Sequence, residues 1–412
     1  MEIKIRDISQ EGQGIGTSEE GKVFFVDGAL PGERVEAEVL GKNQARALTY
    51  KTHSADRVEP PCPFFGRCGA CQIQHLAYPA SLRWKYSRVY SCLERIGQIP
   101  TAVLDTRYCG KAPGAARPSP QLWHYRNNCR YQLGVENGRL MSGFYEAKSK
   151  NIVDQGQLGC LLATSLTEKM RLDFVSFVDQ NPDAFSFLPD AIQIRNNHDE
   201  TEVLVSLLFS KASQASWEKR LGFWKIWASH LETSGSLDGQ KISIVISNSN
   251  GPRRQNILLG RPFLEESMAE TKQVVEASSF FQVNSGQALY MQKRLLTLLE
   301  ERGLPFPKEV WDIYGGTGSL GLLWAKQGAK VKVFELNPLA EEMGMKQARL
   351  NDVADKFSYF LGDAGREVPS YVSESKGPDL IITDPPRQGL SPALIEALAG
   401  TKTPNWLYVS CD

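Results

Sequence analysis

The sequence predicts an α/β fold: a Rossmann-like parallel sheet at the C-terminus, preceded by a small OB-like β-barrel and an α+β central region. Three observations predict it. The first is an apolar run ending in an acid and a glycine-rich turn, Val310-Trp311-Asp312-Ile313-Tyr314-Gly315-Gly316-Thr317-Gly318-Ser319-Leu320, which opens into an amphipathic stretch toward Ala325. The second is a series of strand-like runs ending in polar groups. Val331-Lys332-Val333-Phe334 precedes Glu335, Ile381-Ile382-Thr383 precedes Asp384-Pro385-Pro386, and Leu407-Tyr408-Val409 precedes Ser410-Cys411. Strands alternating with helical stretches build parallel sheets, and such sheets take ligands at their carboxyl edge. The third is the rhythm of the first 58 residues, where turn signals return about every eight to twelve residues, as in all-β folds.

A chain of 412 residues accommodates two or three domains. The segments expected are 1–58 (barrel), 59–265 (central α+β) and 266–412 (parallel sheet). Apolar content of 42% and charged content of 23% are ordinary for a globular protein. No apolar run approaches the ~20 residues of a membrane span. Met1-Glu2-Ile3-Lys4 lacks a signal peptide's basic-then-apolar pattern, so the expected location is cytoplasmic. The net charge of zero hides an asymmetry: residues 61–160 carry 13 Lys/Arg against 5 Asp/Glu, while residues 1–60 carry 8 against 11. In the basic segment Arg83, Lys85, Arg88, Arg126, Arg130, Lys148 and Lys150 are interleaved with Trp84, Tyr86, Trp123, Tyr125 and Tyr131. That mixture suits phosphate contacts and base stacking; a solvated basic face is the plainer alternative.

In chain order, Lys22–Val26 and Arg34–Val39 read as barrel strands between Gly-rich turns. Cys62, Cys68 and Cys71 then form C-x5-C-x2-C on one tight loop, a set of soft thiolates suited to iron–sulfur or zinc. His75 reads as a helix-start or core residue. A fourth ligand must come from elsewhere, and spacing leaves Cys92, Cys109, Cys129 and Cys160 open. Leu82, Tyr86, Val89, Leu93 and Ile96 recur at helical spacing and are expected in the core. Residues 110–120 read as a Pro/Gly surface loop, and Asn137-Gly138 as a hairpin turn between Arg130–Val135 and Leu140–Tyr145. A helix through Leu162–Phe177 is expected, with strands near Ala191–Arg195, Glu202–Leu208 and Ile242–Ser247; Trp217, Trp224 and Trp227 fall at helical spacing, as core residues would. Ser279–Asn284 reads as the entry to a helix through Ala288–Leu299.

The turn Asp312-x-Tyr314-Gly315-Gly316-x-Gly318 lacks the six-residue spacing of dinucleotide folds, which favours S-adenosylmethionine over NAD. Its glycines let backbone approach the ligand, and Glu335 after the second strand can hold ribose hydroxyls.

With Glu335, Asp363, Asp384-Pro385-Pro386 and Ser410-Cys411 added to that turn, the segment resembles the class I methyltransferase domain of the RNA uracil-5-methyltransferase family. The iron–sulfur branch of that family modifies 23S ribosomal RNA. Residues 12–39 resemble its TRAM barrel, an RNA-binding domain, and "YRN" at 125–127, "GFY" at 143–145 and "FFQVN" at 280–284 match it too. The resemblance implies S-adenosyl-L-methionine held by Gln282, Asp312, Tyr314, Gly316, Gly318, Ser319, Glu335, Asp363 and Asp384. It implies a [4Fe–4S] cluster on Cys62, Cys68, Cys71 and Cys160, the last closing "IVDQGQLGC". Its implied partner is RNA, with no membrane, no obligate protein partner and a monomeric state.

Carbon 5 of uracil is a weak nucleophile, and a thiolate added at carbon 6 activates it. The resemblance assigns that role to Cys411 and the uracil edge to Asp384. Two departures stand out. Gly315-Gly316 replaces the family's Cys-Gly. The family's glutamate base lies beyond Ser-Cys, where this sequence ends at Asp412, so no base carries over. A truncated chain with an exposed apolar edge at Trp406–Val409, or a shortened family member whose edge is covered by something else, is therefore expected, with weak or single-turnover activity. The rival readings are an RNA-binding relic, a tRNA-directed uracil-5-methyltransferase, and an amino-group methyltransferase. The last has an aromatic where Arg387 follows Asp-Pro-Pro here.

Overall fold

The computed structural model describes residues 1–103, 116–210, 217–234, 239–248, 255–277, 279, 281–374 and 377–410. Contacts divide the chain into two compact units, Met1–Pro120 with Gln132–Leu161, and Gln121–Tyr131 with Leu162–Asp412. This division cuts across the three segments read from the sequence.

In the first unit, β1 (Glu2–Ile8), β2 (Gly14–Ser18), β3 (Val23–Asp27), β4 (Arg34–Gly41) and β5 (Gln44–Thr52) close a barrel in the order β1-β2-β3-β5-β4. Alternate residues turn inward, and Ile3, Ile5, Phe24, Val26 and Val35 fill the interior. Gly16 is required by the tightness of that interior: a Cβ there would meet Ile3 Cγ2 at 2.5 Å. Glu33 is fully buried and bonded to Arg57 Nε at 2.5 Å, with N–H groups of Leu30 and Ser54 on the same carboxylate. Burial opposes its charge, but Arg57 and the two amides hold its carboxyl below the usual range.

Helix α1 (Tyr78–Ser91) follows the cysteine loop and runs into a π-turn at Cys92–Ile96. The expected core stripe fails here. Leu82 is buried, but Val89 is 61% and Ile96 79% exposed. Only the first turns of α1 pack, with Ala80 in a cluster with Ile8, Leu30 and Leu76. His75 is buried against Phe65, and its pKa falls to about 4, chiefly because burial disfavours the charged ring. It is a core residue, as read. The strand β6 (Asn128–Glu136) contributes Gln132–Glu136 to this unit and turns at Asn137-Gly138, both at positive φ, into β7 (Arg139–Tyr145) and then β8 (Ile152–Asp154).

In the second unit, Thr164 caps α2 (Ser165–Gln180) by accepting from Thr167 N–H. Strands β9 (Ala191–Asn196), β10 (Glu202–Phe209), β11 (Lys241–Asn248) and β12 (Asn256–Leu259) lie side by side, with β10 and β11 parallel. On α3 (Trp217–Thr233), Trp224 and Trp227 are fully buried against Phe174, as their spacing implied; the Trp217 side chain lies outside the described residues. A hairpin of β13 (Phe263–Met268) and β14 (Thr271–Glu276) precedes α4 (Ser285–Glu301).

The remaining elements are β15 (Glu309–Ile313), α5 (Ser319–Lys326), β16 (Lys330–Glu335), α6 (Pro338–Leu350), β17 (Phe357–Leu361), α7 (Ala364–Glu374), β18 (Leu380–Thr383), α8 (Pro392–Gly400) and β19 (Asn405–Tyr408). The five strands form one parallel sheet ordered β17-β16-β15-β18-β19. Apolar clusters cover both faces, as all-parallel sheets require. In β19, Trp406 and Tyr408 are 40% and 51% exposed, and Trp406 Nε1 donates to Thr383 Oγ1 at 3.1 Å.

Candidate functional site

Strand β15 is buried over its last four residues, and Asp312 sits second from its end, 1% exposed. Its Oδ2 accepts the Gly321 N–H at 2.8 Å, which ties the strand to the start of α5; its Oδ1 has no partner. Burial, with the charges of Asp384 and Glu335 adding, pushes its pKa up to about 7.

The chain then reverses sharply. Tyr314 adopts φ 61° and Gly316 φ 55°, the left-handed region that a bulky side chain rarely enters. The Tyr314 N–H donates to Phe334 O at 3.0 Å and Gly318 N–H to Gly315 O at 2.7 Å. A Cβ at Gly315 would lie 2.7 Å from Val333 and 2.8 Å from the Asp312 carboxyl carbon. Glycine is therefore dictated here by packing beneath the turn, not only by ligand approach. Glu335, the last residue of β16, faces the same turn: it accepts Gly316 N–H at 3.0 Å and Asn337 N–H at 2.8 Å. Tyr359 donates to Gly316 O at 3.3 Å, and the Gln347 carboxamide donates to Thr317 O, so the turn is braced from β17 and α6.

A cleft of about 1310 Å³ opens along this edge. It is lined by Gln282, Asp312, Tyr314, Gly316, Ser319, Glu335, Asp363 and Asp384, all named from sequence. Gly318 does not line it. Its left-handed φ of 73° begins α5, and a Cβ there would strike the Phe357 ring at 2.7 Å. Asp363 starts α7, its carbonyl accepting Arg366 and Glu367 N–H at 2.9 Å. The Asp384 carboxyl is raised by burial. Cys411 lies outside the described residues. Two residues before it, Val409 N–H donates to Thr383 O at 2.8 Å, so the ends of β18 and β19 stay paired beside Asp384.

Sequence reasoning missed the helix side of the cleft. Ala288, Met291 and Gln292 of α4 line it. Gln292 is 4% exposed, with its Oε1 unpartnered. The available signal was a glutamine on an otherwise apolar helix face. Asn127 of "YRN" was also read without a role: its Nδ2 donates to Ser285 Oγ at 2.7 Å, and Asn284 caps α4 through Gln287 N–H.

In the first unit, Cys62, Cys68, Cys71 and Cys160 are thiols of intermediate exposure. The loop is held by Cys68 N–H on Phe64 O at 2.9 Å and Gly69 N–H on Tyr145 O at 2.9 Å. Burial raises the Cys68 thiol, and the charge of Cys62 adds to it. Among the described residues, no three or more such side chains converge on a single-ion site. Cys109 lies outside the described residues; Cys92 is exposed and Cys129 buried.

The TRAM-domain family model matches residues 1–41. An uncharacterized RNA methyltransferase of Halalkalibacterium halodurans is 28% identical over 430 residues, covering 100% of this chain and 88% of that protein. An uncharacterized RNA methyltransferase of Listeria monocytogenes matches to the same extent, 28% over 430 residues. The crystal structure of Pyrococcus abyssi tRNA (uracil-54, C5)-methyltransferase in complex with S-adenosyl-L-homocysteine has a TM-score of 0.70 at 21% identity, over 100% of this chain and 91% of that one. Barrel, parallel sheet and glycine-turn cleft thus fit the similarity to RNA methyltransferases over the whole chain. Over its whole length the chain shares the fold of that tRNA (uracil-54, C5)-methyltransferase structure. Among the described residues, no helix is long and apolar enough to cross a membrane.

Proposed function

We propose that this chain transfers a methyl group from S-adenosylmethionine to carbon 5 of a uridine in RNA, with 23S ribosomal RNA as the substrate. The observation that carries the reading is the convergence at one sheet edge. Asp384 follows β18 into the cleft that also holds the glycine turn, and β19 leads from the neighbouring position to Ser410 and Cys411. When bound, S-adenosylmethionine supplies an electrophilic methyl group on a sulfonium. The cleft suits it: Glu335 would hold the ribose hydroxyls, Asp363 would meet the adenine edge, and Gln282 would contact the methyl donor.

The Cys411 thiolate forms a bond to carbon 6 of the uracil, and the displaced π pair becomes an enolate stabilised through the carbonyl at carbon 4. Carbon 5 would then take the methyl group from the sulfonium, with S-adenosyl-L-homocysteine as the leaving thioether. Transfer of the carbon 5 proton to water, with the C–H electron pair forming the double bond and the bond to carbon 6 breaking, would release the Cys411 thiolate. Asp384, whose carboxyl pKa is raised by burial, hydrogen-bonds the polar edge of the base. A uridine within folded RNA must leave its stack to reach this edge.

Cys62, Cys68, Cys71 and Cys160 are read as the ligands of a [4Fe–4S] cluster, which would brace the loop; soft thiolates on one turn plus one distant thiol in the same unit fit it. The barrel is read as an RNA-contact surface.

The test mixes anaerobically purified protein with methyl-labelled S-adenosylmethionine and unmodified 23S rRNA or tRNA fragments. Label at carbon 5 of a uridine, or a labelled protein–RNA band on a denaturing gel, is expected, and Cys411→Ala abolishes both. Full activity in Cys411→Ser would move the reading to an exocyclic amino group. Labelling of tRNA alone would replace the rRNA assignment.

A further inference from the structure

Two residues that line the cleft each carry a buried acceptor oxygen without a partner, Asp312 Oδ1 and Gln292 Oε1. Buried polar atoms are nearly always paired, and an unpaired one costs free energy in the empty protein. Gln292 is not an accident of surface composition. It is 4% exposed and shares with Ala288 and Met291 the one face of α4 that lines the cleft, the i, i+3, i+4 pattern of a helix seam. A leucine or methionine would serve that position if packing were all it had to satisfy.

We propose that Gln292 is a positioning residue for the amino-acid end of S-adenosylmethionine, its carboxamide oxygen receiving the α-ammonium together with Asp312; this rests on the cofactor reading above. The ligand offers three kinds of hydrogen-bond donor: ribose hydroxyls, the adenine amino group and the α-ammonium. Glu335 and Asp363 stand at the ends of β16 and β17 for the first two, which leaves the ammonium for acceptors beneath the glycine turn and on α4. An ammonium has three donors and no acceptor, so it needs several oxygens where water is excluded. A cation there also offsets the charges of Asp384 and Glu335, which add to burial in raising the Asp312 carboxyl.

Calorimetric titration of the full-length protein with two ligands tests this. S-adenosyl-L-homocysteine has the amino-acid end; 5′-methylthioadenosine keeps the nucleoside and thioether but lacks it. Gln292→Leu weakens S-adenosyl-L-homocysteine by about 10- to 100-fold, the loss of one hydrogen bond to a charged group, and leaves 5′-methylthioadenosine within about twofold. Equal weakening of both ligands overturns the proposal, because Gln292 would then only shape the cleft. No change in either also overturns it. Should Gln292→Leu not fold, Gln292→Glu keeps an acceptor: it is expected to bind S-adenosyl-L-homocysteine at least as well as wild type, and weaker binding of that ligand alone overturns the assignment. A wild-type chain that binds neither ligand removes the cofactor reading itself.

Discussion

Asp312 ends up almost fully buried with one oxygen on an amide and one unpartnered, and that makes its proton part of the fold's stability. Its folded pKa of about 7 lies above the roughly 3.9 of an unfolded aspartate. The folded state therefore binds more protons between these values, so its contribution is complete below about pH 4 and is lost as pH rises through 7. Asp312→Asn is expected to flatten the decline in melting temperature between pH 5 and 7, read by scanning calorimetry in the absence of ligand. Glu266, pushed from 4.5 to about 8 mainly by burial, has the same sign, and its contribution is lost as pH rises from about 4.5 through 8, a slope that Glu266→Gln removes. At Glu335 the effect is on binding. Glu335→Ala should weaken S-adenosyl-L-homocysteine and 5′-methylthioadenosine alike, by about 10- to 100-fold, since both carry the ribose. Asp312, Tyr314 and Glu335 were legible because strand, turn and strand lie within one short βαβ unit. Gln292 was not. A glutamine on an otherwise apolar helix face marks it as unusual, but its place in the cleft depends on how α4 packs.

Helices and strands here are joined by a few paired polar groups whose removal can be measured. Asn351, at the end of α6, accepts Lys272 N–H at 2.9 Å and donates to Lys272 O at 2.6 Å, clamping the helix to β14. Asn351→Ala removes the partner of both the Lys272 N–H and its carbonyl, and a loss of about 1 kcal/mol in chemical denaturation is expected. Trp224→Ala, in the stacked cluster of Phe174, Trp227 and Phe223, should cost about 3–5 kcal/mol by opening a cavity under α3. The hairpin at Asn137-Gly138 and the sheet strands were legible because period-2 alternation and turn residues act locally. Helix α1 was misread for the converse reason. Helical spacing of Leu82, Tyr86, Val89, Leu93 and Ile96 specifies a face, but not whether anything packs on all of its length.

At the scale of the whole chain, the two sets of candidate residues fall in different units. The cysteines read as cluster ligands all belong to the first, and the cleft residues to the second. Cys62→Ser is accordingly expected to lower iron and sulfide content and the melting temperature of the first unit. Affinity for S-adenosyl-L-homocysteine should stay within about twofold, since none of its lining residues moves between units. Altered affinity for that ligand would show that the loop supports the cleft. The sequence also suggested three segments where contacts define two units. Motif order along a chain says nothing of where β6 passes from one unit to the other between Tyr131 and Gln132.

The strand order β17-β16-β15-β18-β19 carries a further consequence, for synthesis. Val310 of the central strand pairs on one side with Val331 and on the other with Leu380. At about 5–20 residues per second, the ribosome needs roughly 4–14 seconds to deliver that second partner. For that interval β15, buried on both faces in the finished protein, has an open apolar edge outside the exit tunnel. The nascent chain is thus exposed to mispairing longest at the strand that carries Asp312, and trigger-factor-like holding of that segment should raise the yield of folded protein more than any change at the barrel.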